Sequence, residues 1–109
     1  MLADFAIAAK LVSKTMPNDP SPLLAPMIGQ LVVIDLGSPY VCLGRLVGVD
    51  RDFLELLDAD LHDFRDSQAT REVYVHDSVR LGIRRNRAQV LLRRAEVVAV
   101  ALFKNIAED

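Results

Sequence analysis

Apolar residues recur at three- and four-residue spacing over residues 2–14, with Leu2, Phe5, Ala9 and Val12 on one stripe and Ile7 and Leu11 widening it. That spacing predicts an amphipathic helix. Asp4 near its start and Lys10 and Lys14 near its end suit the helix dipole. Four prolines then fall between positions 17 and 26, a density that removes donors and breaks helices, so a linker or extended arm is expected. The resulting division is 1–27 as N-terminal helix and proline-rich arm, and 28–109 as the folded domain.

The texture changes at Gly29. Residues 29–37 form a β-branched run with Val32, Ile34 and Leu36 on one face, and Gly37-Ser38-Pro39 supplies turn chemistry. Tyr40 to Val49 resumes an extended pattern in which Gly44 and Gly48 mark bends. Asp50-Arg51-Asp52 reads as a tight turn into a third strand, Phe53 to Asp58. A fourth strand fits residues 87–93 and a fifth 97–102, divided by Arg94-Ala95-Glu96. Short strands with short turns predict a mostly β fold, a small five-stranded bent antiparallel barrel.

Residues 59–86 are long for a plain loop. Val73, Val75, Val79, Leu81 and Ile83 alternate as a strand would. Against this, Ser67 and Thr70 suit helix caps and Gly82 suits a helix end, so a helix over 69–81 is preferred. The fifth strand, Val97-Val98-Ala99-Val100-Ala101-Leu102, is apolar at every position. A half-exposed strand alternates with polar residues, so Val97, Val98, Val100 and Leu102 predict a covered surface. A neighbouring copy of the chain is the favoured cover, and residues 2–14 folding back are the other.

Composition narrows the classes. A chain of 109 residues argues for one domain, large enough to need neither disulfide nor structural metal. Fifteen acids against thirteen bases leave a formal charge of −2, so no overall basicity advertises nucleic acid. The lone Cys42 forms no intramolecular disulfide, and a reducing cytoplasm is the expected compartment. No apolar run approaches the roughly 20 residues that cross a bilayer, and Asp4 stands where a secretion signal is basic. Ser67, Ser78, Cys42 and His76 lack the context of a nucleophile or base, so no catalytic residue, cofactor or enzymatic activity is expected.

The stretch Ile34-Asp35-Leu36, a turn, Cys42-Leu43-Gly44-Arg45-Leu46, Asp50, then Leu56 and Ala59 resembles the first motif of the Sm/LSm family, which includes the bacterial Hfq-like members. Leu91-Leu92-Arg93-Arg94-Ala95-Glu96-Val97-Val98 is similar to the second motif, with Arg94 in place of its usual Gly. The resemblance covers about residues 28–102, leaving 60–86 as a helical insertion. It implies an SH3-like barrel, often preceded by a helix, closed into a homo-oligomeric ring by pairing the fourth strand of one copy with the fifth of the next. It also implies single-stranded RNA at the pore. Asp50 matches the family's Asp and Arg93 its Arg. The stacking position falls on Asp52 and the uracil-reading position on Leu54, while a one-residue gap in the turn would bring Phe53 to the stacking position.

Charge is segregated. Residues 50–66 hold seven acids, whereas residues 78–95 hold Arg80, Arg84, Arg85, Arg87, Arg93 and Arg94 and no acid. Arginines offer a planar fork to phosphate oxygens, which makes Arg93 and Arg94 candidate central contacts and Arg84, Arg85 and Arg87 candidate backbone contacts. The competing reading is that the two blocks pair across neighbouring strands. Asp58, Asp60 and His62 would share a strand face without forming a closed metal site. Two functions stay open: an RNA-binding ring, and a ring that holds protein partners and has lost nucleic acid.

Overall fold

The structure, a computed structural model, describes residues 22–66 and 69–106. The expected helix over 2–14 and the Ser67 cap lie outside the described residues. The proline-rich arm ends wound rather than extended: Ala25–Met27 form a 3₁₀ turn with Pro26 inside it. Leu24, Met27 and Ile28 lie against the core.

Five antiparallel strands make one bent sheet: β1 (Leu31–Leu36), β2 (Tyr40–Val49), β3 (Phe53–Asp63), β4 (Arg87–Arg93) and β5 (Val97–Leu102). Their order is β4-β3-β2-β1-β5, so β4 and β5 are the two outer strands. The predicted spans of β2, β4 and β5 coincide with those observed. β3 runs to Asp63 instead of Asp58. Its acidic second half lacks strand propensity, but the long β2 supplies partners, Leu43 to Asp60, Cys42 to Leu61, Val41 to His62 and Tyr40 to Asp63. Pairing overrides local preference there.

Bulges bend the sheet where the glycines are. One register shift falls between Leu43 and Arg45, across from Asp58, which adopts φ +50. Another falls between Leu46 and Gly48. Each slip moves the following residues to the opposite face. Leu54 and Leu56 therefore face the same core as Ala59 and Leu61, and Asp60 and His62 turn to the other side. β5 carries a third slip, between its pairs Leu36–Val97 and Asp35–Ala99. Val98 is the extra residue, 71% exposed, while Val97, Val100 and Leu102 all pack on the chain's own core. The apolar run of β5 is thus accounted for mostly within one copy.

Two cores share the walls of this sheet. Val32, Ile34, Cys42, Leu46, Val49, Leu54, Leu56, Ala59 and Leu92 fill the concave side. On the other side Val33, Val41 and Leu43 pack under α1 (Arg71–Leu81) through Val75, with Phe64, Tyr74 and Val79 around it. Both faces of β1 and β2 are therefore buried, which explains their near-continuous apolar sequence. The preferred helix forms. Thr70 caps it, its hydroxyl accepting the Val73 N–H at 3.2 Å, and Gly82 at φ +103 ends it. The alternating residues do not share a face: Val75 and Val79 point inward, while Val73 and Leu81 are exposed. An ion pair between Arg71 and Asp35 ties the helix start to β1.

Candidate functional site

The β2–β3 turn is built by one side chain. Asp50 Oδ1 accepts the Asp52 N–H at 2.9 Å and the Phe53 N–H at 2.7 Å, and the Asp50 N–H closes the turn on the Phe53 carbonyl at 3.0 Å. Such an Asx turn sets where β3 begins. Phe53, half-exposed at that point, stands directly opposite Arg93 at the end of β4. Arg94 folds back on the same turn: its N–H reaches the Asp52 carbonyl at 2.9 Å and its Nη1 the Asp50 carbonyl at 2.6 Å. The sequence-predicted Asp50, Phe53, Arg93 and Arg94 are thereby brought together, with Asp50 and Arg94 holding the backbone and Phe53 and Arg93 facing outward. A hollow of about 280 Å³ adjoins them, lined by Gly48, Val49, Asp50, Phe53, Glu55 and Leu91. Leu54 is buried in the concave core and takes no part in this surface.

Arg84, Arg85 and Arg87 lie at the opposite end of β4. Seven residues of strand separate Arg87 from Arg93 inclusively, a span of about 20 Å by the usual rise. The arginine block therefore divides into two groups. Arg85 pairs with Asp58, Arg87 donates to the Asn86 carbonyl at 3.0 Å, and Arg84 is exposed. Among the described residues, Asp58 and Arg85 make an ion pair between the two blocks. Glu55 accepts from Gln89 Nε2 at 2.6 Å, and Asp63 pairs with Arg65 inside its own block. That Arg65 contact, through guanidinium and backbone N–H, holds the Asp63 carboxyl down at about 2.

Asp58, Asp60 and His62 do not converge. Asp58 turns to Arg85, Asp60 accepts from the Tyr74 hydroxyl and from Asn86 Nδ2, and His62 stacks on Tyr74 at 4.0 Å. No cluster of three His, Cys, Asp or Glu suited to a metal occurs among the described residues. Sequence reasoning missed the Asp60–Tyr74–Asn86 network. Its one legible signal was an acid inside a strand-like alternation.

No family model and no curated protein matches the chain. Among solved structures, the Sm protein of Pyrococcus abyssii, in complex with a uridine heptamer, matches at a TM-score of 0.54 and 17% identity, over 78% of this chain and 99% of that one. An Sm-like protein of Archaeoglobus fulgidus matches at 0.51 and 20% identity, over 76% and 92%. The fold is Sm-like. Within this Sm-like fold the motif glycine has a steric reason: a Cβ on Gly44 would lie 3.1 Å from Ala59 Cβ and 3.2 Å from the Leu57 carbonyl. Gly44 and Ala59, paired in the sequence motif, are small because the Sm-like sheet brings their strands together at a bulge. None of the helices in the described residues is long and apolar enough to cross a membrane.

Proposed function

We propose that the chain assembles into a homo-oligomeric ring through the edges of β4 and β5 and binds single-stranded RNA at the β2–β3 turn. The observation that carries this reading is the pairing of Phe53 with Arg93, an outward ring beside an outward cation, on an Sm-like fold. That pair suits an unstacked base, the ring giving a stacking face and the guanidinium a charge beside it. Asp50 and Arg94 fix the turn. Arg84, Arg85 and Arg87 would meet phosphates farther along the strand. Ring closure is supported by the two outer strands, each of which turns an apolar residue outward, Leu91 at 55% exposure and Val98 at 71%. Pairing β4 with β5 removes both edges at once. A binding protein of the cytoplasm, without catalysis, is part of the same reading.

The test is binding of short single-stranded RNAs to protein stripped of nucleic acid, near 50 mM salt. Phe53→Ala with Arg93→Ala is expected to weaken binding at least about tenfold, stacking alone contributing roughly 1–3 kcal/mol per base. Absence of salt-sensitive binding by the unaltered chain would defeat the proposal. Two observations favour the second reading, a ring for protein partners: Leu54, at the family's uracil-reading position, is buried, and the Glu55 carboxylate lines the hollow. Protein that copurifies free of nucleic acid at low salt and binds no RNA would select it.

A further inference from the structure

Behind the sheet, between the second half of β3, the flank of α1 and residues 82–84, lies a cavity of about 600 Å³. It stands apart from the Phe53–Arg93 surface, and of its lining only Arg84 enters the RNA reading. Asp60 and Ser78 in its lining are 7% and 8% exposed. Asp60 accepts from the Tyr74 hydroxyl and, at 3.0 Å, from Asn86 Nδ2. Both donors are neutral, and among the described residues no cation pairs with Asp60. Burial, with Asp60 beside it, pushes the Tyr74 hydroxyl well above the usual phenol range, so it stays a donor. A carboxylate accommodates about four hydrogen bonds, so acceptor capacity remains.

Further acceptors surround it. His62 Nε2 is buried with no hydrogen-bond partner, and Ser78 Oγ donates to the Tyr74 carbonyl at 2.9 Å, which leaves its lone pairs. Asp77 adds a second carboxylate at the exposed mouth. Asp60 and His62 meet Tyr74 in the first turn of α1, whereas Asp77 and Ser78 belong to its last turns, where the helix dipole favours positive charge. Arg84, at the rim, opposes it. The described residues do not group three metal-ligating side chains, so a metal ion is a poor fit. An ammonium fits better: it presents three donors, and a short alkyl chain suits the apolar walls of Leu81 and Ile83.

We propose that this cavity binds an aliphatic diamine or polyamine, one ammonium held by Asp60 with His62 Nε2 and Ser78 Oγ, the other met by Asp77. The test is titration of the full, RNA-free chain with 1,4-diaminobutane, compared with 1,4-butanediol and with sodium chloride at matched ionic strength. Saturable binding of the diamine alone, with shifts of the His62 and Tyr74 proton resonances, is expected. Asp77→Asn should weaken it about threefold and Arg84→Ala tighten it by a similar factor, as for exposed charges. Asp60→Asn should weaken it at least about tenfold, as for a buried charge pair. If Asp60→Asn fails to fold, the opposite signs of the other two variants decide. Equal response to diamine and sodium chloride, or unchanged affinity in both Asp77→Asn and Arg84→Ala, overturns the proposal.

Discussion

Gly44 shows how tightly a single position is constrained. A methyl group there would sit a few tenths of an ångström too close to its neighbours on β3, and two of the three nearest atoms are backbone. Gly44→Ala therefore needs a small shift between two paired strands, and a loss of about 1 kcal/mol is expected from the urea midpoint. Cys42 is fully buried on the concave side, and burial, with the Asp60 carboxylate adding to it, pushes its thiol up to about 12. The unfolded thiol ionises from 9 upward, so between those values the unfolded chain releases a proton that the folded chain keeps. Stability then falls by about 1.4 kcal/mol for each pH unit gained, and thiol reagents at pH 8 should label Cys42 only at the rate of unfolding. At this scale the sequence showed Asp50 as a turn former, because its partners Asp52 and Phe53 are adjacent in the chain. It did not show Tyr74 meeting Asp60, a contact created by the slip at Asp58.

Among the elements, α1 was legible through its ends rather than its face. Thr70 and Gly82 decided for a helix that the even spacing of Val73, Val75, Val79 and Leu81 opposed. Thr70→Ala should cost about 1 kcal/mol, seen as a lower thermal midpoint with the strands unaffected at room temperature. β3 was legible only as far as Asp58. Its continuation depends on the length of β2 and on Asn86, whose Oδ1 accepts the Leu61 N–H at 3.0 Å and whose own N–H reaches the Ala59 carbonyl at 2.8 Å. Such partners lie too far along the chain for local pattern to reveal. β5 illustrates the reverse: alternation over 97–102 implied two apolar faces, but one extra residue gathers Val97, Val100 and Leu102 onto one.

For the molecule as a whole, the division of the arginines governs what is measured. If RNA runs from Phe53 and Arg93 toward Arg84 and Arg87, each of those arginines replaced by alanine should reduce the slope of log affinity against log salt by about 0.7. Light scattering on the eluted protein should give a multiple of the chain mass, and a single-chain mass would remove the ring. A barrel of five antiparallel strands could be read in advance from the short strands and turns, but the pairing of β1 with β5, which joins the two ends of the domain, could not. The second core could not, because Val33, Val41 and Leu43 alternate with residues that serve the first.

That sharing of β1 and β2 has a practical side. Anyone trimming the β3–β4 crossover to a plain hairpin would strip the roof from Val33, Val41 and Leu43 and leave a greasy back wall in water. A minimal version of this protein therefore calls for repainting that wall with threonine, lysine or glutamate before the crossover is cut.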